Sequence, residues 1–198
     1  HRHPELGLQE FETSAFIQEY LGKLGYRFRI VEPTGIIAEH PCQDEAAFAG
    51  KKKVVLRAEM DALPIQEQTG LSYASENAGV MHACGHDGHA TIGLGVAKVL
   101  MAIKDQLHGT VKLIFQPAEE APGGARKVME TGVLKDVQAI FGLHTSPLYD
   151  VGTLGIRSGA VTASVDKFTV TFHGKGTHAA HPERGIDPIV MAASFVTA

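Results

Sequence analysis

The sequence lacks the features that mark several large classes of protein. Its 198 residues contain 2 Cys, too few for a disulfide scaffold, so a reducing and cytoplasmic compartment is expected. No apolar run is long enough to cross a bilayer, and residues 1–5 are not followed by the apolar core of a signal peptide. Acidic residues outnumber basic ones, and the formal net charge of −4 argues against nucleic-acid binding. We therefore expect a soluble protein with neither a membrane nor a nucleic-acid partner.

Helical and strand-like patterns alternate along most of the chain. Helical spacing of apolar residues predicts helices over Glu10 to Leu24, Thr91 to Ile103 and Ala125 to Glu130. Strands are predicted over Tyr26 to Ile30, Gly35 to Glu39, Val54 to Met60, Thr110 to Phe115 and Ala139 to Leu143. A polar loop with a Lys triplet, from Pro41 to Lys53, is typical of a solvated turn. The alternation predicts an α/β fold, with a sheet sandwiched by helices.

The pattern changes from about Gly155. Ala163 to Phe172 alternates like a half-exposed strand, a glycine-rich turn follows, and a helix begins near Asp187-Pro188. We predict one domain over residues 1–157 and the first part of a smaller domain over residues 158–198. The chain starts without Met and stops inside an amphipathic helix, so we expect it to be a fragment of a longer protein.

Residues 81–89, Met-His-Ala-Cys-Gly-His-Asp-Gly-His, form the most informative segment, because they place imidazoles, a thiol and a carboxylate in one glycine-containing loop. Asp61, the pair Glu119-Glu120 and His144 each come after a predicted strand. Ligands bind outside the carboxyl ends of strands in open α/β sheets, so these groups are expected to meet Cys84 and His86 at one crevice. Nitrogen and sulfur donors beside carboxylates suit zinc or another transition metal.

Taken singly, each residue also has a simpler interpretation. A lone Cys such as Cys84 is usually a small buried apolar residue, and adjacent carboxylates are usually a solvated turn. His144 taken alone is equally consistent with a metal ligand and with a structural imidazole. For His178, composition alone slightly favours an ordinary imidazole in a surface loop. Adjacent side chains in extended backbone point in opposite directions, so one carboxylate can hold a metal while the other faces a water. Two further residues either orient ligands or cap the following helix, namely Asp87 and His89.

Together these residues resemble the M20 metallopeptidase family, most closely its amidohydrolase branch of aminoacylase-like, hippurate hydrolase-like and auxin-conjugate hydrolase-like enzymes. The resemblance runs from the first residue nearly to the last. It implies a zinc-peptidase-like catalytic domain followed by a smaller α+β lid domain that carries dimerisation. The matching segments are residues 1–7, 57–64, 81–89, 115–120, 141–144 and 174–188.

The resemblance also implies a ligand set for two divalent metal ions, zinc or manganese. Cys84 would bridge the ions in place of the carboxylate used elsewhere in the family. His86 and His144 would complete one ion's shell, Glu120 would bind the other, and Asp61 would lie next to the site without binding metal. A further His ligand in the family comes from a C-terminal segment, and this chain has no counterpart for it.

The implied reaction is hydrolysis of an amide bond in N-acyl amino acids or similar small amides. Glu119 would be the general base that deprotonates the metal-activated water and then protonates the leaving amine. His178 would stabilise the oxyanion by reaching the active site of the partner subunit in a homodimer. Glu59 stands where this branch usually has Asp, which changes the support of the site by one methylene.

Two other hypotheses come from different classes of protein. The first is a non-catalytic metal-binding or dimerisation fragment of such an enzyme, and the length of the encoded protein would discriminate it. The second is a thiol-based redox protein that uses Cys84. The sequence disfavours the second, because Cys42 has no C-x-x-C relationship to it.

Overall fold

The computed structural model describes residues 1–40, 52–164 and 166–198, and the chain divides into two units, His1–Leu148 and Tyr149–Ala198. Most of the predicted polar loop from Pro41 to Lys53 therefore lies outside the described residues. No helix within the described residues combines the length and apolarity needed to cross a bilayer.

The first unit is built on a mixed sheet of five strands. The strands are β1 Arg27–Val31, β2 Gly35–Glu39, β3 Lys53–Glu59, β4 Thr110–Gln116 and β5 Ala139–Gly142. They lie in the order β1-β2-β4-β3-β5. Strand β3 pairs parallel with β4 and β5, whereas β2 pairs antiparallel with β1 and β4. Strands β3, β4 and β5 consequently end at the same edge, and the residues that follow them share that edge.

Helices cover both faces of this sheet. Neighbouring residues of one strand point to opposite faces, and Ile36 and Ile37 indeed belong to two separate core clusters. Helices α1 (Phe11–Leu24) and α2 (His86–Ala102) pack on one face, while α3 (Gly124–Glu130) packs on the other. The predicted α/β sheet sandwiched by helices is confirmed.

Helix α2 begins at His86, five residues before the predicted start at Thr91. The sequence prediction followed the apolar spacing, which begins only after the first turn. That first turn instead carries polar side chains, and His86 and His89 within it are both fully buried. The helix therefore brings part of the His/Cys segment to the sheet edge as regular structure.

Two glycines give a matched test of packing next to that edge. A Cβ on Gly124 would lie 2.7 Å from the backbone oxygen of Ala118, whereas a Cβ on Gly95 in α2 would meet nothing within 4 Å. Gly124→Ala is expected to lower the free energy of unfolding by roughly 2–3 kcal/mol, because backbone must move. Gly95→Ala should raise it by about 0.5–1 kcal/mol, since Ala is the better helix former. Urea unfolding of both variants checks this, and equal stabilities would contradict the packing described.

The second unit contains one α-helix among its described residues, α4 (Pro188–Thr197). The Asp187 side chain accepts a hydrogen bond from Ile189 N at 2.8 Å, and Pro188 fills the first turn as predicted. The predicted strand over 163–172 is wrong for the described residues of that segment, which form no strand. Alternation provides an apolar face, but a strand also needs a pairing neighbour, and Phe168 remains 75% exposed.

Candidate metal centre

Side chains from four parts of the first unit meet at the edge where β3, β4 and β5 end. Asp61 follows β3, Glu119 and Glu120 follow β4, and His144 follows β5. The start of α2 contributes His86, and the loop just before it contributes Cys84. Three groups have all their candidate ligand atoms within 4.8 Å of one another, namely Cys84-His86-His144, His86-Glu119-Glu120 and the fully buried Glu59-His86-His89.

His86 is the residue common to all three groups, and its ring orientation is fixed. Nδ1 donates to the backbone oxygen of Asp61 at 2.8 Å and also faces the Asp61 carboxylate at 3.2 Å. Nε2 is buried without a hydrogen-bond partner. It faces Glu119 Oε2 at 3.7 Å and Glu120 Oε1 at 4.0 Å. A buried lone pair opposite two carboxylates is an arrangement that a bound cation satisfies.

The charge around His86 favours a cation at this point. Burial opposes protonation of the ring, but the hydrogen bond and the negative charge of Asp61 outweigh it and raise the pKa of His86. Without a metal ion, these surroundings favour a proton on His86, and a bound ion would occupy the position of that proton. The donor set of imidazole, thiol and carboxylate therefore fits a divalent transition metal or zinc.

Cys84 and His144 form the second half of the cluster. Cys84 Sγ lies 3.3 Å from His144 Nε2, while His144 Nδ1 donates to Thr145 O at 2.6 Å, which leaves Nε2 as an acceptor. Burial and the neighbouring Glu120, followed by Glu119, raise the pKa of Cys84 to about 12. The thiol consequently keeps its proton without a metal, and metal binding through sulfur must release it.

Asp61 holds its neighbours in place, because both of its carboxylate oxygens contact them. It is buried, with Oδ1 facing the His86 ring and Oδ2 accepting from Glu120 N at 2.9 Å. Burial alone would raise the pKa of Asp61, but bonds from His86 and from the backbone amides of Glu119 and Glu120 lower it. This fixed anion orients one candidate ligand and the turn that carries two others, as metal-site supporting residues commonly do.

Sequence reasoning missed the partnership of Glu59 with His89. His89 Nδ1 donates to Glu59 Oε2 at 2.8 Å, and its Nε2 accepts from Thr145 N at 2.9 Å. Both ring nitrogens are thus used, so His89 positions the residue after His144 and is not available as a ligand. The signal for this was a carboxylate at the end of a buried strand, which needs a partner when buried. Asp87 bonds His1 Nδ1 at 2.7 Å, and no side chain caps α2.

Gly85 makes room for this arrangement. Its φ of +79° lies in the left-handed region, and a Cβ at this position would overlap the Thr145 hydroxyl. The tight folding expected from the glycines of this loop therefore has a concrete cause at Gly85.

His178 lies in the second unit. Its side chain is exposed, and Nδ1 accepts from Ala180 N at 3.1 Å. Its ring centroid lies 6.2 Å from that of His181. The predicted role of His178 at the oxyanion stays a prediction.

Known proteins are similar to this chain over nearly its whole length. A family model described as Peptidase family M20/M25/M40 matches residues 55–195. The chain is 46% identical over 199 residues to N-acetyl-L-cysteine deacetylase of Bacillus subtilis (strain 168), covering 100% of this chain and 47% of that protein. It is also 46% identical over 197 residues to IAA-amino acid hydrolase ILR1-like 5 of Arabidopsis thaliana, covering 99% and 44%.

A solved structure of a protein from this family has a similar fold. The crystal structure of the Bacillus subtilis YXEP protein, described as a dinuclear metal binding peptidase from the M20 family, matches with a TM-score of 0.74. Sequence identity is 46%, and the match covers 80% of this chain and 44% of that one. The chain thus spans about half the length of the relatives it matches.

Proposed function

Because the chain belongs to Peptidase family M20/M25/M40, we propose that the protein is a metal-dependent amidohydrolase that cleaves N-acyl amino acids or similar small amides. The observation that carries the proposal is the unpartnered, buried Nε2 of His86, which faces both Glu119 and Glu120 beside the Cys84–His144 pair. The N-acetyl-L-cysteine deacetylase and the IAA-amino acid hydrolase among its relatives support the substrate class by their names.

We propose that two divalent ions, zinc or manganese, occupy the cluster. His86 and His144 would hold one, Glu120 would hold the other, and Cys84 would contact both. The described dinuclear relative supports this stoichiometry. When bound, such ions polarise the amide carbonyl and lower the pKa of water.

Glu119 is proposed to carry the proton. Its carboxylate lies at the same turn as Glu120 and is the more exposed of the two, 38% against 27% of the side chain, which suits a group that meets substrate and water. It would accept a proton from the attacking water as the C–O bond forms. It would then give that proton to the nitrogen as the C–N bond breaks, so that acid and free amine leave.

His178 is proposed to stabilise the oxyanion, acting across a homodimer on the site of the partner subunit. The lid domain would carry that dimer. A cytoplasmic location is proposed with it, on the low cysteine content.

A hydrolysis panel on the full-length protein tests the proposed function. We expect release of free amine from N-acetylcysteine, an indole-3-acetyl amino acid or a hippurate-type amide, with loss of activity on chelation and recovery with zinc or manganese. Metal content is measured on the same sample. Full metal loading without hydrolysis of any of these amides would reject the proposal and favour a non-catalytic metal-binding role.

A further inference from the structure

Glu10 is a fully buried carboxylate that the proposed reaction does not use. It precedes α1, but its side chain makes no capping bond to that helix. Instead, Oε1 accepts from the backbone N–H of Ala118 at 2.8 Å, and Oε2 accepts from the Thr34 hydroxyl at 2.6 Å. Because burying a carboxylate is costly, these two charge-assisted hydrogen bonds must compensate it, and they join distant parts of the chain.

The Ala118 end of this interaction is a strained turn. Ala118 is buried and has φ +46°, a left-handed conformation that is unfavourable for a residue with a Cβ. The turn fits closely against its surroundings, since a Cβ on Gly7 would lie 3.0 Å from Ala118 Cα and one on Gly35 would lie 2.9 Å from Pro117 Cδ. The hydrogen bond from Ala118 N to Glu10 is the polar contact that holds this conformation from the side of α1.

Glu119 and Glu120 leave directly from this turn. On the other side, Asp61 Oδ2 accepts from Glu120 N at 2.9 Å. Two buried carboxylates therefore hold successive amides of one short segment, Glu10 that of Ala118 and Asp61 those of the two glutamates that follow. The chain direction between those amides determines where both glutamate side chains point.

We propose that Glu10 is a positioning residue for the Glu119-Glu120 pair. By holding Ala118 in its left-handed conformation, it directs Glu120 towards the metal cluster and Glu119 towards the substrate. The consequence for turnover rests on the proposed amide hydrolysis, whereas the consequence for metal binding rests on the proposed metal site alone.

Two substitutions of similar length separate hydrogen bonding from charge and bulk. In Glu10→Gln, the amide oxygen can still accept from Ala118 N and the amide nitrogen can donate to the Thr34 oxygen. In Glu10→Met, no acceptor remains for Ala118 N. In the full-length enzyme we expect Glu10→Met to lower kcat by about 100-fold with KM within about threefold, as for a misplaced catalytic group. Glu10→Gln should stay within about threefold of wild type in both constants.

Calorimetric titration of the metal-free protein with Zn²⁺ gives a readout that needs no substrate. We expect Glu10→Met to weaken the lower-affinity binding event by about 10-fold or more, and Glu10→Gln to leave it unchanged. Thr34→Val is the matched control, because it removes the other hydrogen bond of Glu10 but leaves the one to Ala118. It should lower the urea midpoint of unfolding slightly without changing turnover or metal affinity.

Normal kcat and metal affinity in folded Glu10→Met would overturn the proposal, as would equal damage in Glu10→Gln. If Glu10→Met does not fold, Ala118→Gly is added, because Gly adopts the left-handed conformation without strain. The double variant is then expected to remain about 10-fold below Ala118→Gly alone in kcat, and equal activity of those two would reject the inference. If the wild-type protein hydrolyses no amide, the titration still decides the role of Glu10 while the proposed function fails separately.

Discussion

Glu119→Gln is expected to lower kcat for amide hydrolysis by about 10³–10⁴-fold, because Gln keeps the shape of the side chain but cannot accept a proton. Metal content should stay close to that of the wild type. The residues proposed to hold the ions are Cys84, His86, Glu120 and His144, and the substitution leaves all of them in place. The Ala118–Glu120 turn is held by its backbone amides, which bond Glu10 and Asp61, so replacing the Glu119 side chain leaves those contacts unchanged.

The adjacent residue provides the matched control for this prediction. Glu120→Gln makes the same chemical change one position away, and its side chain is proposed to bind metal. We expect that variant to lose metal as well as activity, whereas Glu119→Gln loses activity alone. Steady-state kinetics and metal analysis of both variants separate the roles. Retained hydrolysis by Glu119→Gln would remove it as the base, and metal loss confined to Glu119→Gln would exchange the two assignments.

Much of the fold could be predicted because its strands carry a strong local signal. Strands β3, β4 and β5 are rich in apolar residues, and each is followed within a few positions by a side chain that can bind a metal. Strands β3 and β4 are buried at their carboxyl ends, whereas Ile140 and Phe141 of β5 are exposed. Parallel pairing of β3 with both neighbours then brings Asp61, Glu119 and His144 to one edge, as expected from the fold class. The position of the cluster could therefore be predicted from the residues that follow the ends of the strands.

What could not be predicted depends on contacts between residues distant in the sequence. The bond from Glu10 to Ala118 spans 108 positions, and that from His89 to Thr145 spans 56. No local pattern in the sequence identifies such hydrogen-bond partners. A charged residue predicted to be buried, with no nearby residue of opposite charge, indicates only that a distant partner exists. The prediction of a strand over 163–172 was wrong for a related reason. The alternation of apolar and polar residues is a property of one segment, whereas a strand needs a second segment to pair with.

Cys84→Ala is expected to reduce the number of ions bound per chain, because it removes the one side chain proposed to contact both. His86 and His144 would still form a partial site for one ion, and the Glu120 carboxylate would still form a partial site for the other. Both partial sites would have lower affinity. Hydrolysis should fall by about 100-fold or more, in line with the loss of a metal-supporting group. Metal analysis after dialysis, together with kinetics on the full-length protein, measures both effects.

Two further variants make this prediction specific to the position of the thiol. Cys42→Ala removes the other cysteine and should leave metal content and turnover unchanged, so it controls for the general effect of losing a thiol. Cys84→Asp supplies a carboxylate, which can bridge two cations without first losing a proton of high pKa, since burial and Glu120 raise the pKa of the native thiol to about 12. We expect Cys84→Asp to bind more metal than Cys84→Ala and to recover part of the activity. Two ions bound to Cys84→Ala with wild-type affinity would show that sulfur is not a bridging ligand, whatever the activity of the Asp variant.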